Sequence, residues 1–196
     1  MNRFRLVVSL CACMLVLAGV GYSSPLTFTG TLSGANENPA TGSPGTGSAL
    51  VTFDPVTALL TVNVTFSGLE AGSTASHIHC CVAPGGTAGV ATPVPTFPGF
   101  PLGVTSGTYA QTFDLTLASS FNPAFVTANG GTVAGAEAAF AAGLENGMAY
   151  LNVHTTAFPG GEVRAFLAPV PEPVSGTLFA GALGMLWLMR RRSTAR

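Results

Sequence analysis

The chain has 196 residues, 47% of them apolar and only 8% charged, with 25 glycines, 14 prolines and a formal net charge of −1. That length fits one ordinary domain. Between the termini there is no lysine and a single arginine, Arg164, which excludes the basic surface that a nucleic-acid partner requires.

In chain order, Arg3 and Arg5 precede an apolar run from Leu6 to Val20, followed by Gly21, Ser23 and Ser24. Charge, apolar core and small residues in that order predict a secretory signal over residues 1–23, and the run is shorter than the roughly 20 residues of a membrane span. The segment 24–168 reads as β-structure. In Leu59 to Leu69, the residues Leu60, Val62, Val64 and Phe66 alternate with Thr61, Asn63 and Thr65, the period of a strand with one buried face. Leu26–Leu32, Ser48–Phe53, Thr108–Leu117, Ala149–Thr155 and Glu162–Ala168 follow the same pattern, separated by GSPGTG, DPVT and FPGG turns. Short strands with such punctuation predict a mostly β domain, an antiparallel β-sandwich. Two stretches depart from it. Val82 to Gly107 carries five prolines between Pro84 and Pro101 and reads as a long loop, functional or loosely ordered. Gly130 to Gly147 places Val133, Ala136, Phe140 and Leu144 at helical spacing, a helical crossover preceded by a turn of helix at Asn122 to Ala128.

All three histidines fall in two of these segments. In an extended SHIH segment His77 and His79 project to one face and Ile78 to the other, and His154 shares a face with Tyr150 and Asn152. Pairing of the two strands would gather a three-histidine cluster, with Glu162 or Cys80 as a further ligand, and such donors suit zinc or copper. The competing reading has the rings satisfy buried backbone groups, with Glu162 and Arg164 paired to neighbouring strands. Cys80 and Cys81 are the cysteines that remain after the signal; a disulfide between them, an intermolecular bridge and thiolate ligation are the alternatives in an oxidising compartment. No GxSxG element, acidic cluster or phosphate loop is present, and Asp54 and Asp114 read as turn or strand residues. No catalytic residue is assigned, and a non-enzymatic protein is expected.

The C-terminal segment 169–196 has three parts: Pro171, Glu172 and Pro173; an apolar run from Val174 to Met189; and Arg190, Arg191 and Arg192. Sixteen residues rise about 24 Å as a helix, short of the hydrocarbon core, and the arginines hold the tail on the cytoplasmic side. This order resembles the PEP-CTERM sorting signal of exported bacterial proteins. The resemblance implies a transient membrane helix over 174–189, cleavage by an exosortase-like protease, and delivery to the envelope, the cell surface or an extracellular matrix of exopolysaccharide and proteins.

The body resembles a second family. Gly34 to Pro39, His77-Ile78-His79, Asn152-Val153-His154-Thr155 and Pro159-Gly160-Gly161-Glu162-Val163-Arg164 are similar, in order, to the motifs of the CHRD domain named from chordin repeats. That resemblance implies a β-sandwich-like extracellular module; common members carry glycine after HIH, where this chain has Cys80. SGLEAGSTASHIH is also similar to the copper-ligand strand of copper/zinc superoxide dismutase, although three histidines are too few for that enzyme's two metals. Two functions therefore stand as expectations: an exported CHRD module with a binding or structural role, and a small secreted metalloprotein using His77, His79 and His154.

Overall fold

The computed structural model describes residues 25–171. The predicted signal over 1–23, the helix over 174–189 and Glu172, Pro173, Arg190, Arg191 and Arg192 lie outside the described residues. Among the described residues no helix is long and apolar enough to cross a membrane.

Alternation of β-formers sets the strands. They are β1 (Leu26–Ser33), β2 (Thr46–Asp54), β3 (Leu59–Ser67), β4 (Ser73–Cys80) and β5 (Gly107–Asp114), then β6 (Ala149–Thr155), β7 (Val163–Phe166) and the two-residue β8 (Ala168–Pro169). In β3, Leu60, Val62, Val64 and Phe66 are buried while Leu59, Thr65 and Ser67 face solvent, as a half-buried strand requires. The β2–β3 turn is made by Asp54, whose Oδ1 accepts from the Val56 backbone N–H at 2.8 Å. A second aspartate ends β5 earlier than its apolar pattern predicts. Asp114 Oδ1 accepts from the N–H of Thr116 at 2.9 Å and its carbonyl accepts from Leu117 N–H at 3.1 Å, so the predicted strand to Leu117 turns away three residues early.

The strands form a single antiparallel sheet in the order β4-β6-β7-β1-β2-β3-β5, with β8 on β1. The predicted two-sheet sandwich is thus corrected to one curled sheet, a half-barrel whose inner face holds one apolar core. β1 runs close against β7 at Gly30: a Cβ there would stand 2.6 Å from the Phe166 carbonyl oxygen and 2.8 Å from Ala165 Cβ. Glycine there permits the close backbone approach. Alternation along a strand reports which side is buried and is silent on whether the opposing wall is a second sheet or the same sheet bent round.

Two helices close the open side, α1 (Pro123–Ala128) and α2 (Val133–Glu145), at the positions the sequence predicts. Asn122 Oδ1 caps α1 by accepting from Ala124 N–H, Pro123 opens it, and Thr132 Oγ1 caps α2 by accepting from Gly135 N–H. Phe125 and Phe140 meet edge to face at 6.3 Å, and Ala136 and Leu144 complete the buried stripe.

The proline-rich segment takes the place of an edge strand. Along the free side of β4, Ala91 N–H donates to Ile78 O at 2.9 Å, Phe97 N–H to Ser76 O at 3.1 Å, and Gly103 N–H to Ser73 O at 2.7 Å. In return, Thr96 Oγ1 accepts from Ser76 N–H and Thr92 Oγ1 from Ile78 N–H, each at 2.9 Å. Prolines deny this stretch a ladder of its own, so it satisfies the edge with the N–H groups between them. It is ordered, and it forms one wall of the site.

Candidate functional site: a buried polar face

Pairing of β4, β6 and β7 aligns the predicted residues in rows. His77 opposes Asn152, which opposes Arg164; His79 opposes Tyr150, which opposes Phe166; Ala75 opposes His154. Ile78, Leu151, Val153, Val163 and Ala165 point the other way, into the apolar core. The histidine face is nonetheless covered. Asn36 and Glu37 from the 3₁₀ turn after β1, the segment from Gly86 to Pro95, and the loop Pro159–Gly161 lie over it.

Each imidazole is held at one nitrogen by a backbone carbonyl. His77 Nε2 donates to Pro95 O at 2.6 Å, His79 Nδ1 to Ala88 O at 2.8 Å, and His154 Nδ1 to Pro159 O at 2.8 Å. Tyr150 stacks on His79 with ring centroids 4.8 Å apart and donates its hydroxyl to the same Ala88 carbonyl. Two of the free nitrogens meet, His77 Nδ1 standing 3.3 Å from His154 Nε2. One nitrogen from each of the three rings lies within 4.8 Å of the others. Burial pushes His77 down to about 4, against the opposing pull of the Pro95 carbonyl. Burial also lowers His79 and His154. All three are neutral imidazoles at neutral pH.

Beside them lies a buried ion pair. Arg164 Nε sits 3.7 Å from Glu37 Oε2, with side-chain exposures of 2% and 6%. The guanidinium also donates to the carbonyls of Asn36 and, at 2.9 Å, of Gly86, and lies over the Tyr150 ring 4.8 Å from its centroid. Burial raises Glu37 to about 7 even though Arg164 pulls it down. Gly161, at φ +128°, makes room for this pair: a Cβ there would meet Glu37 Oε1 at 2.6 Å and Asn152 Nδ2 at 2.7 Å. Neighbouring Gly160 has open space around it.

Two suggested metal ligands stand elsewhere. Glu162 is fully buried, and its carboxylate accepts from Ser43 Oγ at 2.6 Å, Glu70 N–H at 2.7 Å and Thr155 Oγ1 at 2.6 Å. It staples two loops to β6 and has no oxygen to offer the histidines. Cys80 is bonded to Cys81, which leaves no thiolate for a metal; both sulfurs pack against α2 at Gly143. Arg164 reaches the 3₁₀ turn and the Gly86 loop rather than a neighbouring strand. Of the sorting motif only Pro171 is described, and it is exposed.

Sequence reasoning missed Glu37 as the partner of Arg164. It lay within the Gly34 to Pro39 motif, and the one signal available was that a single arginine in the body needs a carboxylate from somewhere.

A curled antiparallel sheet with a second, polar buried face roofed by loops defines a β-rich module. The family model of the CHRD domain matches residues 28–167, and the chain belongs to that family. No curated protein and no solved structure matches it.

Proposed function

We propose that this protein is an exported CHRD module with a binding or structural role at the cell envelope or in an extracellular matrix, without catalysis of its own. The observation that carries the reading is the CHRD match over residues 28–167, a span that takes in nearly the whole folded body. The order of the terminal segments supports it: a basic, apolar, small-residue start and a Pro171-Glu172-Pro173, apolar, triple-arginine end are addresses for export and sorting. An exosortase-like protease acts on the tail, the helix over 174–189 holds the protein in the membrane until then, and matrix exopolysaccharide or protein is the partner. The lysine-free body favours partners other than anionic polymers held by bulk charge.

Fractionation of the producing cells, with a tag placed after Ser24, tests this. The domain is expected in the envelope and medium, open to protease in intact cells, and a chain lacking 169–196 is expected to leave the envelope fraction. Full-length chain in the cytosol overturns the proposal.

A further inference from the structure

A neutral imidazole carries one N–H and one lone pair. A carbonyl oxygen only accepts, so the three carbonyls place the protons on His77 Nε2, His79 Nδ1 and His154 Nδ1. The lone pairs are left on His77 Nδ1, His79 Nε2 and His154 Nε2. Two of these face each other at 3.3 Å, acceptor against acceptor, with no hydrogen to share. The third, His79 Nε2, is buried and has no hydrogen-bond partner. Buried polar atoms in folded proteins are rarely left so. A single proton between His77 and His154 would relieve one pair, put a charge in a buried place, and leave His79 as it was.

We propose that His77 Nδ1, His79 Nε2 and His154 Nε2 bind one zinc-class divalent cation. A dication accepts all three lone pairs at once. The geometry suits it: zinc–nitrogen bonds of about 2.05 Å set ligand nitrogens about 3.4 Å apart around a tetrahedron, and the His77–His154 pair stands at 3.3 Å already. The widest separation, within 4.8 Å, exceeds that spacing by at most about 1.4 Å, which small shifts of the three side chains close while each ring keeps its carbonyl. Backbone carbonyls fix the tautomer and aim of every ring in advance, the arrangement that supports ligand histidines generally. Imidazole suits zinc and copper and disfavours calcium and magnesium, which take oxygen donors. Three protein donors leave one coordination position for water or an exogenous donor.

The test uses the full chain purified without a histidine tag, stripped with chelator and reloaded with Zn(II), then with Co(II) as a visible reporter. One zinc per chain by elemental analysis is expected, with a tetrahedral Co(II) spectrum and a rise in melting temperature. His154→Ala, at the least buried of the three, is expected to weaken zinc at least about 100-fold, as are His77→Ala and His79→Ala. Should those variants fail to fold, ¹⁵N shifts of the unmodified protein decide: zinc must move His77 Nδ1 and the Nε2 of His79 and His154. Copper held by the same three residues upholds the site. Sub-stoichiometric zinc and copper in the unmodified chain, or binding that survives all three substitutions, overturns it. The proposal is independent of export: a metal-free envelope protein sinks only the site, and a zinc-loaded cytosolic one sinks only the address.

Discussion

The two halves of the sheet use their second face differently. In β3 one face packs and the other, carrying Thr61 and Thr65, is wetted, so burial alternates along the strand. In β6 six of seven residues are buried, because the face that carries Tyr150, Asn152 and His154 lies under loops. Both halves bury apolar side chains on the inner face, and that is enough to hold a sheet together. Covering a second face with histidines, an arginine and a carboxylate adds desolvation that packing alone does not require. That desolvation is concentrated on β4, β6 and β7, where His77, His79, Asn152 and Arg164 are buried.

The comparison breaks most sharply at Arg164. Replacing it by Met leaves Glu37 without its partner and the Asn36 and Gly86 carbonyls without their donor, and urea unfolding is expected to show a loss of about 3–5 kcal/mol. A loss under 1 kcal/mol would mean that the polar face is no more demanding than the wet one. Glu162→Ala leaves Ser43, Thr155 and the Glu70 N–H without their acceptor and is expected to cost about 3 kcal/mol by the same measurement. Gly161→Ala pushes a methyl against Glu37 and Asn152 at a positive φ, for about 1–3 kcal/mol. Thr61→Ala on the wet face removes only the 2.9 Å cross-strand contact with Thr112 and is expected to cost less than about 1 kcal/mol.

A subtler contrast lies in the acid response of the chelated protein. His77 falls from 6.5 to about 4 on folding, so the unfolded chain binds more protons between those values. Its contribution is complete above 6.5 and is lost as pH drops through 4. Glu37 rises from 4.5 to about 7, so its contribution is complete below 4.5 and is lost as pH climbs through 7. The two oppose each other from about 4.5 to 6.5. Glu37→Gln removes the second, and its stability is expected to rise more steeply with pH across that window than the parent's. An unchanged slope in chemical denaturation at stepped pH would argue that Glu37 does not titrate there.

Much of this was legible beforehand for specific reasons. Period-two alternation located β1, β2, β3 and β6 because a half-buried strand cannot hide which side is apolar. Helical spacing of Val133, Ala136, Phe140 and Leu144 placed α2, while the caps Asn122 and Thr132 emerged only with the structure. The HIH and NVH segments announced that His77, His79 and His154 would share faces of strands. Their convergence was conditional, since nothing local states that β4 lies beside β6. Glu162 shows the opposite failure: its type suits a metal, and its register turns it toward Ser43, Thr155 and Glu70 instead. The proline-rich stretch offered no period at all, because its order comes from the edge of β4.

By itself the sequence determined the strands, the helices, the family motifs and the three candidate ligands, since each depends on residues within about a dozen positions of one another. Only the tertiary structure decided that one sheet curls round a single core, that Arg164 finds Glu37, and that three ring nitrogens meet under a loop. Those facts depend on register and on contacts across more than seventy residues of chain, as in the His77–His154 approach, where short-range pattern carries no information about which partner will be there.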